Sequence, residues 1–139
     1  MLKIYIVEDN LLMASVLKHL LTRMGYEICG SADNYTKAVR ELRKNDADLV
    51  ITDIMLTGKK TGIDIGNYIK KHLDIPFIYL SSVTESDIIK QAMDSSPGNY
   101  LFKPVNKPAL AEAIFNIIHG GDVVETGSSS PLHKIAINY

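Results

Sequence analysis

Apolar positions along the chain alternate between two patterns. Unbroken runs such as Ile4-Tyr5-Ile6-Val7, Leu49-Val50-Ile51-Thr52 and Phe77-Ile78-Tyr79-Leu80 end in polar residues. Runs of that length describe strands buried on both faces. Shorter runs at 26–31 and at Tyr100-Leu101-Phe102 bring the count to five. Between the runs, apolar residues recur at spacings of three and four, the mark of an amphipathic helix. Met13, Val16, Leu17, Leu20 and Met24 form the stripe of a first helix, opened by Asn10 as N-cap and stopped by Gly25. A second helix, capped by Asp33 or Asn34, carries Ala38, Val39 and Leu42, and a third carries Ile65, Ile69 and Leu73. Thr84 is expected to cap a fourth, with Glu85 and Asp87 in its first turn. Its stripe of Ile88, Ile89, Ala92 and Met93 is thin, so it is expected to be the least firmly held. Asn106 caps a fifth, which carries Leu110, Ala113, Ile114, Ile117 and Ile118 and ends at Gly120-Gly121. Pro108 is tolerated in its first turn.

Strand and helix therefore alternate five times over residues 1–120, which predicts a single α/β domain. Its sheet is parallel and doubly wound, with helices on both faces, and ligands in such folds bind beyond the carboxyl ends of the strands. Residues 121–139 change in texture. Thr126-Gly127-Ser128-Ser129-Ser130-Pro131 suggests a linker, and the stretch is expected to be either a C-terminal tail or a linker toward an output domain outside this sequence.

Charge and composition narrow the field. A formal net charge of −1 gives no global reason to expect nucleic acid or an anionic membrane as partner. No apolar stretch approaches the roughly 18–20 residues that span a bilayer. The first residues run straight into Glu8-Asp9 without a signal-peptide layout. The single cysteine, Cys29, has no internal disulfide partner and is expected to be buried and inert. A cytoplasmic location follows as the expectation.

Polar chemistry gathers at the strand ends. Asp53 closes the third strand, Glu8-Asp9 the first, Ser81-Ser82 the fourth and Lys103 the fifth. Taken singly, each is ordinary: a helix-starting acid pair, an Asx turn, a serine loop, a solvated lysine. Together, at four ends of one repeating fold, they predict a shared site. Carboxylates brought close repel one another unless a cation intervenes. A hard divalent cation with oxygen ligands suits Glu8, Asp9 and Asp53, and Mg²⁺ is the usual candidate, with the backbone carbonyl of Met55 as a further ligand. A carboxylate can attack phosphorus and form an acyl phosphate. Asp53 would be the nucleophile, with Lys103 and the Ser81 hydroxyl holding phosphoryl oxygens.

The stretch from about 2 to 119 resembles the receiver (CheY-like) domain of bacterial two-component response regulators. The matching segments are Ile6-Val7-Glu8-Asp9-Asn10, Leu49 through Leu56, Gly62-Ile63-Asp64, Ile75 through Ser82, and Tyr100-Leu101-Phe102-Lys103-Pro104. The resemblance implies a flavodoxin-like (βα)5 fold with strand order 2-1-3-4-5 and a cis peptide between Lys103 and Pro104. It implies a signalling domain, not an enzyme with an external substrate. Asp53 would accept a phosphoryl group from a sensor histidine kinase or a phosphotransfer protein. The change would pass through Ser81 and Tyr100, which would turn inward, to the face made by the fourth helix, fifth strand and fifth helix. That face would engage a downstream output domain or protein, and phosphorylation would favour a homodimer. Direct binding of nucleic acid or membrane by this domain is not expected. Three departures from the family pattern concern the loop and the switch: Thr57 stands where proline is common, the loop to Gly62 is one residue longer than usual, and the switch hydroxyl is Ser81, not threonine. Apolar Met55 and Val83 cannot orient an attacking water, so slow dephosphorylation is expected.

Other readings use the same residues differently. The chain could be the N-terminal input domain of a longer DNA-binding transcription regulator. A haloacid-dehalogenase-type phosphatase would need an acid two residues after the nucleophile, where Met55 stands. A flavin carrier would need a hydroxyl-rich phosphate loop where Glu8-Asp9 stands.

Overall fold

The structure is a computed structural model and describes residues 1–120. The linker or tail expected over 121–139 lies outside the described residues. Five strands and five helices alternate: β1 (Lys3–Val7), α1 (Leu11–Arg23), β2 (Glu27–Ala32), α2 (Tyr35–Leu42), β3 (Leu49–Asp53), α3 (Gly62–His72), β4 (Phe77–Ser81), α4 (Ser86–Asp94), β5 (Asn99–Phe102) and α5 (Lys107–Ile118). The strands pair in parallel in the order β2-β1-β3-β4-β5, so the winding reverses between β1 and β3. This is the doubly wound arrangement, and the Lys103–Pro104 peptide is cis.

Successive strand side chains point to opposite faces, so an unbroken apolar run feeds two cores at once. Ile4, Ile6, Leu49, Ile51, Ile78, Leu80 and Leu101 join α1 and α5 on one face. Tyr5, Val7, Val50, Phe77, Tyr79 and Tyr100 join α2, α3 and α4 on the other. β3 is buried along its whole length, Asp53 included. The two cores cover both faces of the sheet between them.

Several local expectations are corrected. The buried face of α1 is Ala14, Leu17 and Leu21, while Val16 is 52% exposed. In α5 the buried residues are Leu110, Ala113 and Ile114, and Ile118 faces outward. The N-cap of α4 is Glu85, not Thr84, and no side chain bonds the first turn. Cys29 is only half-buried. The register of β1 on β2 jumps from Ile4↔Ile28 to Tyr5↔Gly30, which leaves Cys29 as the extra residue of a bulge. Burial still pushes its thiol pKa up, so the expected inertness has a physical cause. Asn10, Asn34 and Asn106 cap α1, α2 and α5 as the sequence suggests.

Candidate functional site

Glu8, Asp9, Asp53 and Lys103 meet at the carboxyl edge of the sheet, beside the point where the winding reverses. They line an open cavity of about 490 Å³ together with Asn10, Met13, Ser82 and Pro104. Lys103 is the hub. Its Nζ donates to Asp53 Oδ2 at 2.8 Å and to Glu8 Oε1 at 2.9 Å. The remaining carboxylate oxygens meet backbone: the Asn10 N–H donates to Glu8 Oε2 at 3.1 Å, and the Met55 N–H donates to Asp53 Oδ1 at 3.2 Å. Asp9 Oδ2 accepts from the Thr57 hydroxyl at 2.7 Å.

Glu8 is 4% and Asp53 7% exposed, so the pair of acids is nearly withdrawn from water. Burial raises the Glu8 carboxyl pKa, and nearby Asp53 pushes the same way, against the opposing pull of Lys103 and the Asn10 N–H. For Lys103, burial would lower the pKa, but the hydrogen bonds to Asp53 and Glu8 outweigh it and hold the amine above its ordinary value. The ammonium is therefore charged across the physiological range. Removing it would leave two buried acids facing each other, a costly arrangement.

One oxygen from each of Glu8, Asp9 and Asp53 lies within 4.8 Å of the others. An all-oxygen, triply anionic set at the rim of an open cleft fits a hard divalent cation that keeps some of its waters. The main chain of Met55 reaches the site through its N–H, and its side chain is 56% exposed.

Ser81 is fully buried at the end of β4, and its Oγ accepts from the Val83 N–H at 2.8 Å. Ser82, next along the chain, lines the cavity. Tyr100 occupies the inward position. Its ring is already inside, 1% exposed, with ring centroids 6.2 Å from Tyr79 and 5.2 Å from Phe102. The apolar face of the aromatic cluster holds it there. Two contributors were missed in the sequence. Asn10 acts through its backbone N–H, which leaves no side-chain signature, and Thr57 acts across 48 positions.

Comparison with known proteins bears on the same residues. The family model of the response regulator receiver domain matches residues 4–115. The sensory transduction protein LytT of Bacillus anthracis is 33% identical over 82% of this chain and 46% of its own length. The chemotaxis protein CheY of Halobacterium salinarum is 27% identical over 84% of this chain and 96% of its own. The signal receiver domain of a modulated diguanylate cyclase from Desulfovibrio desulfuricans G20 superposes with a TM-score of 0.80 at 32% identity, covering 84% of this chain and 93% of that one. This chain spans about half the length of LytT, PdtaR and KdpE, the curated relatives it matches at 31–33% identity. No described helix is long and apolar enough to cross a membrane. With five parallel strands in the order β2-β1-β3-β4-β5, an acid cluster at their carboxyl edge and a family match across both, the chain belongs to the receiver domains of two-component response regulators.

Proposed function

We propose that this domain is a phosphorylation-dependent switch in which Asp53 is the phosphoacceptor. The observation that carries the reading is the placement of the Lys103 ammonium between Asp53 and Glu8, inside a cleft open to solvent. An Asp53 carboxylate oxygen attacks phosphorus on a phosphohistidine of a sensor kinase or phosphotransfer protein. The new P–O bond forms as the P–N bond breaks, and the electron pair leaves on the imidazole nitrogen. Lys103 is within reach to follow the charge onto a phosphoryl oxygen. Mg²⁺, held by Glu8, Asp9, Asp53 and the Met55 carbonyl, would neutralise the clustered acids and the incoming oxygens.

The Ser81 hydroxyl keeps its hydrogen available while its oxygen accepts from Val83, so it can turn that hydrogen to a phosphoryl oxygen. Movement there would reach Tyr100 through the β4–β5 pairing, in which Ser81 lies against Phe102 and Tyr79 against Tyr100. The α4-β5-α5 face would then present a different surface to an output domain, a target protein or a second copy. Apolar Met55 and Val83 beside the site give slow loss of the phosphoryl group.

The test is labelling with a small acyl-phosphate donor in Mg²⁺. The wild-type chain should incorporate about one phosphoryl group per molecule, as a single nucleophile requires. Asp53→Asn should incorporate none, and normal stoichiometry in that variant overturns the assignment. A second reading concerns context: the domain serves as the input module of a longer transcription regulator. The half-length match to regulators such as KdpE of Staphylococcus aureus favours it.

A further inference from the structure

The loop between β3 and α3 is fixed at its far end by conventional means. Thr61 and Asp64 form a capping box, with the Thr61 N–H donating to Asp64 Oδ2 at 2.7 Å. Lys60 Nζ lies 5.5 Å from the centre of the Tyr35 ring at the start of α2. The near end is held differently. Thr57 is exposed, and its hydroxyl crosses to Asp9 Oδ2. That bond uses one oxygen of Asp9 and leaves Oδ1 outside it.

Of the three clustered acids, Asp9 is the one not fully buried. Glu8 and Asp53 are both held by Lys103. Asp9 is repelled by both and has open solvent to turn into. A donor on one of its oxygens opposes that rotation and costs the site no negative charge. Outer partners of this kind orient a ligand and typically change metal affinity by about 10–100-fold.

We propose that Thr57 is a positioning residue for the divalent-cation site: its hydroxyl fixes Asp9 in the orientation that completes the acid cluster, and it thereby ties cation binding to the placement of the β3–α3 loop. The proposal rests on reading Glu8, Asp9 and Asp53 as that site. A proline at this position would supply no hydroxyl, so the link belongs to this chain's own sequence.

The experiment is a Mg²⁺ titration of the full chain followed by backbone amide NMR, for wild type, Thr57→Val and Thr57→Ser. Valine keeps the shape of threonine and lacks the hydroxyl. Thr57→Val should weaken Mg²⁺ about tenfold, the low end for an outer partner because the contact is solvent-exposed. Its Gly58 and Lys59 amides should stop responding to Mg²⁺ while those of Asp9 and Met55 still respond. Thr57→Ser should restore both affinity and loop response. Equal affinity in wild type and Thr57→Val, or a serine variant as weak as valine, overturns the role of Thr57. A wild-type chain with no saturable response overturns the cation reading itself, so the two failures are told apart. Unchanged amide dispersion in the cation-free variants shows that the fold is kept.

Discussion

Gly62 sits against the main chain of Asp53, and its N–H donates to the Ile54 carbonyl at 2.8 Å. A Cβ there would run into the Asp53 carbonyl group and the Ile54 Cα, all backbone atoms that cannot swing aside. Glycine is needed for close approach, not for an unusual φ. Gly62→Ala should cost about 1–3 kcal/mol by overpacking, measured by urea unfolding. It should also lower acyl-phosphate labelling, because the strain falls on the backbone that carries Asp53. A variant as stable and as readily labelled as wild type would show that the loop yields freely. Asp53 and Lys103 were legible only jointly: each alone is an ordinary turn acid or solvated lysine, but both close apolar strand runs at the same edge of one repeating fold. Thr57 was not: its departure from the usual proline registered as a change of loop shape, since nothing local announces a partner 48 positions away.

At the scale of elements, strands were legible almost to the residue and the faces of some helices were not. The reason is clearest in α1, whose sequence Leu-Leu-Met-Ala-Ser-Val-Leu-Lys-His-Leu-Leu-Thr-Arg carries a broad apolar face. Such a helix offers more than one stripe at spacings of three and four, and only the packing against β1 and β2 selects Ala14, Leu17 and Leu21. Leu11 and Leu12 are left 81% and 72% exposed as a result. Leu21→Ala should therefore cost about 2–5 kcal/mol, whereas Val16→Ala should stay within about 0.5 kcal/mol of wild type. Chemical denaturation of the two variants checks this, and the reverse order would mean that α1 is rotated from the face described. The capping box of α3 is a different kind of miss. Thr61-Gly62-Ile63-Asp64 carries the local signal, and it could have been found without any tertiary information.

Across the described residues, burial thins toward the proposed switch. β1 and β3 lie inside the sheet with both faces covered. The helix α4 buries only Ile89 and Ala92, and its first turn has no side-chain cap. Its other end is anchored: Tyr79 Oη and Ser95 Oγ share a hydrogen bond, and Ser95 Oγ also donates to the Ala92 carbonyl at 2.6 Å. Burial raises the Tyr79 phenol to about 12, so the hydroxyl keeps its proton and the anchor at any physiological pH. The loose end of α4 is the one that follows Ser81 in the chain, which is where a change at Asp53 would arrive. Amide hydrogen exchange should find the segment around Ile89 to Ala92 opening at lower free energy than β1 and β3. Tyr79→Phe removes one partner of the anchor while Ser95 keeps its bond to Ala92, a loss of about 1 kcal/mol. Exchange should then quicken in α4 and remain unchanged in α1, on the opposite face of the sheet. Equal quickening in both helices would mean that α4 opens only with the whole domain, and that the gradient does not exist.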